Sequence, residues 1–165
     1  MAAQDLEAQL VKHLDEAVAM EQNVLRMLDS MVTSTADDRI KEELRLHKLE
    51  TEGQIDRLNR RLQAHGASTS GVREAAGIAQ ALMKSVVDAV RGEKAGRNAR
   101  DGYATEHLEI AAYQLLERVA ERAGDEETVE VARQNRAQEE AMAEKLEANW
   151  DRFAELSLEE AGVTG

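Results

Sequence analysis

Glu21 is a carboxylate at a core position. From Leu10 to Met31 the apolar residues Leu10, Leu14, Ala17, Val24, Leu28 and Met31 recur every three or four places, and Glu21 falls into that register between Ala17 and Val24. An unpaired carboxylate is costly to bury, so an inward Glu21 needs a turn toward water or a positive partner inside. Three later segments repeat the pattern near their midpoints. His47 lies in the stripe Ile40, Leu44, Thr51, Ile55, Leu58, Leu62, with Glu50 beside it; Glu109 falls within the arc of Leu108, Ala112, Leu116 and Val119, with Glu106 at its border; Glu139 centres the stripe Ala132, Asn135, Met142, Leu146, Trp150, Phe153. Fold four such helices side by side, and Glu21, His47 or Glu50, Glu109 and Glu139 meet at one level. His47 and Glu50 are three apart and share a face, as do Glu106 and Glu109, so the same level can offer further oxygen and nitrogen ligands. Carboxylates with an imidazole suit iron or manganese, and the core of a helical bundle can hold such a pair of metals.

Each residue has a plainer role when taken alone. Among 33 acidic residues, a single glutamate is more often a solvated or salt-bridged face residue, and a lone core histidine is more often satisfied by a neighbour such as Glu43 or Glu50. Met20, Met27, Met31 and Met142 read as core filling. The coincidence of four central positions carries the metal reading.

The elements that must position these groups are helices. The chain of 165 residues has no proline, one Phe, one Trp and two Tyr, while Ala, Leu, Glu, Gln, Arg and Met abound, a composition that favours helix over strand. The first helix is expected from about Asp5 to Ser34. Thr35 is the expected cap of a second that reaches His65 and stops at Gly66, with Asp37 and Asp38 in its first turn. A weaker helix bearing Val72, Ala76, Ala79, Met83, Val86 and Val90 follows as a crossover. The third runs from about Tyr103 to Ala123, with Gly124 ending it and His107 pointing away from its buried side. Asp125 caps the last, which continues to about Leu158. The expected organisation is one domain over 1–158 and a frayed tail over 159–165. The long connection from Gly66 to Gly102 permits the crossover of ferritin-like bundles, where an up-down-up-down bundle needs only short turns.

Composition also excludes. Lys and Arg number 21 against 33 Asp and Glu, a net charge of −12, so nucleic acid and anionic membrane surfaces are poor partners. The absence of cysteine removes disulfides and thiolate metal sites. The start of the chain lacks a signal-peptide pattern, and no stretch approaches the roughly 20 apolar residues of a membrane span; a cytoplasmic location is expected. No phosphate-binding glycine loop or Gly-x-Ser-x-Gly elbow is present, which argues against a nucleophilic hydrolase.

The successive stretches Met20-Glu21-Gln22, His47-Lys48-Leu49-Glu50-Thr51-Glu52-Gly53-Gln54, Glu106-His107-Leu108-Glu109-Ile110-Ala111-Ala112-Tyr113 and Glu139-Glu140, with Glu144-Lys145-Leu146, resemble the signatures of the YciF-like, ferritin-like stress proteins of bacteria over about Leu14 to Trp150. The resemblance implies an all-α, ferritin-like four-helix bundle with an extra helix in the crossover between the second and third bundle helices. It also implies a homodimer and a dinuclear carboxylate site related to that of rubrerythrin. Carried over residue by residue, it implies the ligands Glu21, His47, Glu50, Glu106, Glu109 and Glu139. Glu106 and Glu109 followed by Tyr113 are similar to the third helix of rubrerythrin, with Glu106 a mobile ligand and Tyr113 supporting the ligands from behind. Two departures stand out. The related di-iron enzymes carry Glu-x-x-His on the second and fourth helices, whereas Gly53 and Met142 occupy those histidine positions here. An oxygen-rich site with one imidazole suits manganese as well as iron. Rubrerythrin also has a cysteine-bound iron, which this chain lacks, so electrons would come from a separate donor.

Two functions follow as expectations. One is a stress-related protein whose dinuclear iron or manganese site reacts with peroxide or oxygen. The other is a metal-free dimeric bundle acting as an interaction protein, with Tyr103 and Ile110 available to the crossover helix or a second subunit. Nothing in the sequence points to a large iron-storage cage.

Overall fold

The computed structural model describes residues 2–69 and 94–163, and within them every regular element is a helix. These are α1 (Ala2–Ser34), α2 (Asp38–Ala64), α3 (Ala95–Ala123), α4 (Glu126–Glu147) and α5 (Trp150–Glu160). The crossover helix expected around Val72 to Val90 lies outside the described residues, as does the end of the expected tail.

Local chemistry sets the ends. Asp37, rather than Thr35, caps α2: its carboxylate accepts from the backbone N–H of Arg39 at 3.0 Å and Ile40 at 3.1 Å, satisfying donors that have no partner within the helix. Gly66 and Gly124 take φ of 67° and 71°, the left-handed turn that closes a helix and that glycine adopts without strain. Asp125 accepts from the N–H of Thr128 to open α4. The start of α3 has no side-chain cap of its own. Glu160 of α5 supplies one from outside, accepting from the N–H groups of Lys94 and Ala95.

Two contacts fix the topology. Asn98 near the start of α3 donates to Ser34 at the end of α1, and Arg61 near the end of α2 pairs with Asp125 at the start of α4. Thus α1 and α2 form one antiparallel hairpin and α3 and α4 another. Because α2 and α3 run in the same direction, a long crossover must join them, as expected from the Gly66 to Gly102 stretch.

The last helix differs from expectation by breaking into two. Asn149 donates its side-chain amide to the carbonyl of Lys145 at 2.7 Å, the acceptor its own backbone N–H would use in a continuous helix. That N–H turns instead to Leu146. The kink lays α5 across α3, where Phe153 is buried, and Gly96 makes the approach possible: a Cβ there would stand 3.1 Å from Ser157 Oγ.

The bundle interior is two apolar clusters. One, with Leu10, Leu14, Leu58, Leu62, Leu116 and Ala132, fills the end near the α3–α4 turn. The other, with Val24, Leu28, Met31, Leu44, Leu146 and Phe153, fills the end near the α1–α2 turn. Between them lies a belt of buried polar side chains.

Candidate metal centre

Each long helix contributes to that belt at mid-length. Glu21 from α1, Glu109 from α3 and Glu139 from α4 have no exposed surface, while His47 from α2 and Glu106 from α3 are 1% and 2% exposed. Their potential ligand atoms form two groups, His47 with Glu106 and Glu139, and Glu21 with Glu109 and Glu139; within each, the atoms lie within 4.8 Å of one another. Glu139 belongs to both.

His47 is oriented from behind. Its Nδ1 lies 3.2 Å from Glu50 Oε2, which leaves Nε2 facing inward, 3.3 Å from Glu106 Oε1 and 3.7 Å from Glu139 Oε2. A carboxylate on one ring nitrogen fixes the orientation of the imidazole and raises its basicity. Glu50 therefore stands one layer farther out than expected. Its side chain is 41% exposed, and it belongs to neither ligand group among the described residues, because position 50 lies three residues past His47, on the flank of α2 rather than its inward line. The inward line runs His47, Thr51, Gln54, Leu58. Gln54, not Ile55, follows Thr51 into the core, and its amide donates to Glu139.

A second set of polar side chains holds Glu21. Tyr113, fully buried, donates its hydroxyl to Glu21 Oε1. Asn135 donates to that hydroxyl at 2.9 Å, and Arg57 donates to Asn135 at 2.8 Å and to Gln138 at 2.5 Å. Arg57 reaches across α2 over Gly53, where an added Cβ would meet its guanidinium at 3.4 Å. Position 53, where a Glu-x-x-His pattern starting at Glu50 would place its histidine, is thus left bare beneath a fixed cation.

Several carboxylate oxygens lack hydrogen-bond donors among the described residues: both of Glu109 and one each of Glu21, Glu106 and Glu139. Buried acceptors are normally satisfied, so the cluster requires protons or cations. Burial drives the Glu109 carboxyl well above the usual carboxylate range, and the charges of Glu21, Glu106 and Glu139 push it further. Burial likewise raises Glu21, against the hydrogen bond from Tyr113, and raises Glu139, where the Glu21 and Glu106 charges add to the effect. Burial works to lower His47, but Glu106 and Glu50 outweigh it and hold the imidazole up at about 10. Protons and a metal cation are therefore competitors for the same atoms. The donor set, oxygen-rich with one inward imidazole nitrogen, fits hard or borderline divalent cations such as manganese and iron.

Tyr113 was legible as a supporting group. The functions of Gln54, Asn135 and Arg57 were not, although Gln54 stands seven places from His47 and hence on its helical face. The buried arc of α3 is also turned from the one expected: Glu109, Tyr113, Leu116 and Ala120 are buried, while Leu108, Ala112 and Val119 are half-buried and His107 is exposed, as expected.

Two helical hairpins joined through a long crossover, with carboxylates and an imidazole meeting at mid-length, define a ferritin-like bundle. Residues 5–159 match the family described as Domain of unknown function (DUF892), and the chain belongs to that family. Solved structures share the fold. A protein of Xanthomonas campestris pv. campestris is 27% identical, with 94% of this chain and 97% of that one covered and a TM-score of 0.78. The E. coli stress protein YciF is 20% identical, with 91% and 97% covered and a TM-score of 0.82. Dps from Thermosynechococcus elongatus is 17% identical, with 90% and 94% covered and a TM-score of 0.71. No curated protein matches the chain by sequence. Among the described residues, no helix is long and apolar enough to cross a membrane.

Proposed function

We propose that this chain is a dinuclear metal protein of the ferritin-like class, holding iron or manganese and reacting with peroxide or oxygen in a stress response. The observation that carries the reading is the pair of buried ligand groups that share Glu139. His47, Glu106 and Glu139 would hold one cation and Glu21, Glu109 and Glu139 the other, Glu139 belonging to both groups. Glu50 keeps the His47 ring in place and Tyr113 keeps Glu21 in place, so both ligands are set before a cation arrives. Bound metals would polarise and reduce an oxidant. The apolar clusters on either side of the belt limit the access of water, and the raised carboxyls release their protons as a cation binds. Electrons come from a separate donor, and the working unit is a homodimer. The likeness to a bacterial stress protein supports the stress role.

Elemental analysis tests this directly. Protein purified without chelator after growth with iron and manganese should carry about two metal ions per chain, and Glu109→Ala prepared in the same way should lose them. A metal-free bundle acting as an interaction protein is the second reading, favoured by Leu46 and Leu49, which expose 47% and 64% of their surface on α2. Absence of metal from both samples, with melting unchanged on adding iron or manganese, would establish that reading instead.

A further inference from the structure

The two ligand groups of the belt are backed by opposite charges. Behind His47 stands a carboxylate, Glu50, with Oε2 3.2 Å from Nδ1. Seven residues farther along the same flank of α2 stands a guanidinium, Arg57, half-buried between α2 and α4. Its partners among the described residues are neutral: Nε donates to Asn135 Oδ1 at 2.8 Å, and Nη2 to Gln138 Oε1 at 2.5 Å. Neither amide cancels its charge.

Two runs of hydrogen bonds connect Arg57 with carboxylates of the centre. Asn135 donates its amide to the Tyr113 hydroxyl at 2.9 Å, and that hydroxyl donates to Glu21 Oε1. Gln138 accepts from Gln54 as well, at 3.2 Å, and Gln54 donates to Glu139 Oε1. Every donor in the first run points toward Glu21, so its bonds polarise one another in one sense. Both runs end on Oε1 and leave Oε2 of Glu21 and of Glu139 without a donor among the described residues. Glu21 belongs to one ligand group only, with Glu109 and Glu139. The charges of Glu21 and Glu139 act in turn on the guanidinium, through a buried path where salt screens little.

A positive group that orders two ligands has opposed effects on a cation. It spares the carboxylates reorganisation, and it repels the ion they hold. A neighbouring charge shifts the proton affinity of a group by about one to three pKa units, and for a half-buried guanidinium the lower end applies, about tenfold. We infer that Arg57 sets the affinity of the cation position formed by Glu21, Glu109 and Glu139, holding two of its ligands in place while keeping binding there weak by charge. A cation at that position is well oriented yet exchangeable. The inference rests on the proposed dinuclear site and deepens it.

Manganese(II) is the probe, titrated into metal-free full-length protein. Electron paramagnetic resonance of the free ion gives the number and affinity of the bound ions without an activity assay. Arg57→Gln keeps an amide donor and removes the charge; one of the two ions should then bind about tenfold more tightly, and the other should change by less than about threefold. Arg57→Met, equally uncharged, serves where the glutamine variant does not fold. Arg57→Lys keeps the charge and loses the planar fork, so it should titrate like the parent. In Glu21→Gln, which removes a ligand from the position beside Arg57, adding Arg57→Gln should move the remaining affinity by less than about threefold. Unchanged or weaker binding by the uncharged variant would overturn the inference, because a residue that only braces its neighbours weakens binding when lost. A gain shared by Arg57→Lys, or one that persists in the Glu21→Gln background, would overturn it too. Any of these results in a protein whose parent binds two manganese ions removes the role of Arg57 and leaves the dinuclear site standing. A parent that binds none removes both.

Discussion

Replacing Glu109 by glutamine should stabilise the metal-free protein, although it removes a native side chain from the core. Glu109 is fully buried, and neither of its oxygens receives a hydrogen bond among the described residues. Burial first, and then the charges around it, keep this carboxyl protonated well above its ordinary value of 4.5. In the unfolded chain the same group is ionised at pH 7. Folding must therefore take up a proton above 4.5, and each pH unit between 4.5 and the folded value costs about 1.4 kcal/mol. The amide of Glu109→Gln is neutral at every pH and can donate to Glu21, as the protonated acid does. The sign is fixed by the direction of the shift. A carboxyl raised in the folded state gives its full stability below the unfolded value of 4.5 and loses it as pH rises toward the folded value. The variant should therefore nearly equal the parent near pH 4.5 and gain on it by about 1.4 kcal/mol for each pH unit above that until the folded value is reached, a melting difference of about 3–6 °C per pH unit for a chain of this size. Urea unfolding in the presence of chelator, followed by circular dichroism at pH 5 and pH 7.5, measures both points. With manganese or iron added the order should reverse, because only the parent gains stability from binding. A variant no more stable than the parent at pH 7.5 under chelator, or a gap that does not change with pH, would refute the reasoning.

Other perturbations bear on separate parts of the structure. Asp125 caps α4 and pairs with Arg61 at 2.9 Å and His65 at 2.8 Å, so Asp125→Ala should cost about 2 kcal/mol, read from the urea midpoint at pH 7. Burial would raise this carboxyl, but hydrogen bonds from Thr128, His65 and Arg61 hold it well below its ordinary 3.8. Its contribution is present above that value and is lost as pH falls toward the folded value, so the gap between parent and variant should narrow in acid. Tyr113→Phe deprives Glu21 and Asn135 of a shared hydroxyl and should cost about 1–2 kcal/mol, with weaker retention of manganese during dialysis. Gly96→Val drives a branched side chain into Ser157 and should cost about 1–3 kcal/mol, with Trp150 fluorescence reporting the displacement of α5.

Much of this fold could be read from spacing alone. Glu21 and Glu139 sit in stripes so regular that their inward direction follows from the 3.6-residue period, and both are fully buried. The long crossover was legible because Gly66 and Gly102 are too far apart for a hairpin turn. On α3 the period was read from Leu108 and Ala112, and the arc came out rotated because Glu106, Glu109 and Glu117 are buried in place of apolar residues. A pattern that ranks positions by hydrophobicity is blind where the core itself is acidic. Gln54 was passed over for the same reason, since Ile55 next to it looks better suited to a core. The break at Asn149 depends on one side chain outcompeting one backbone bond, a local contest that periodicity does not register. Glu50 shares a face with His47 at three-residue spacing, but only packing decides which of the two points at the centre and which supports it.

The division of the interior by a polar belt has a consequence for how the helices find their alignment. Leucine and alanine surfaces tolerate sliding, because one apolar contact is easily exchanged for another a turn away. The belt removes that tolerance. Moving any one long helix by a single turn, about 5.4 Å, would set its carboxylate or imidazole among the leucines of one cluster and bring an aliphatic side chain into the belt. Each helix therefore carries one mark on its length, at Glu21, His47, Glu109 or Glu139, and only one arrangement brings the four marks level. The groups that are hardest to bury act as an index for assembly, and they fix the axial register of helices whose apolar faces alone would leave it loosely defined.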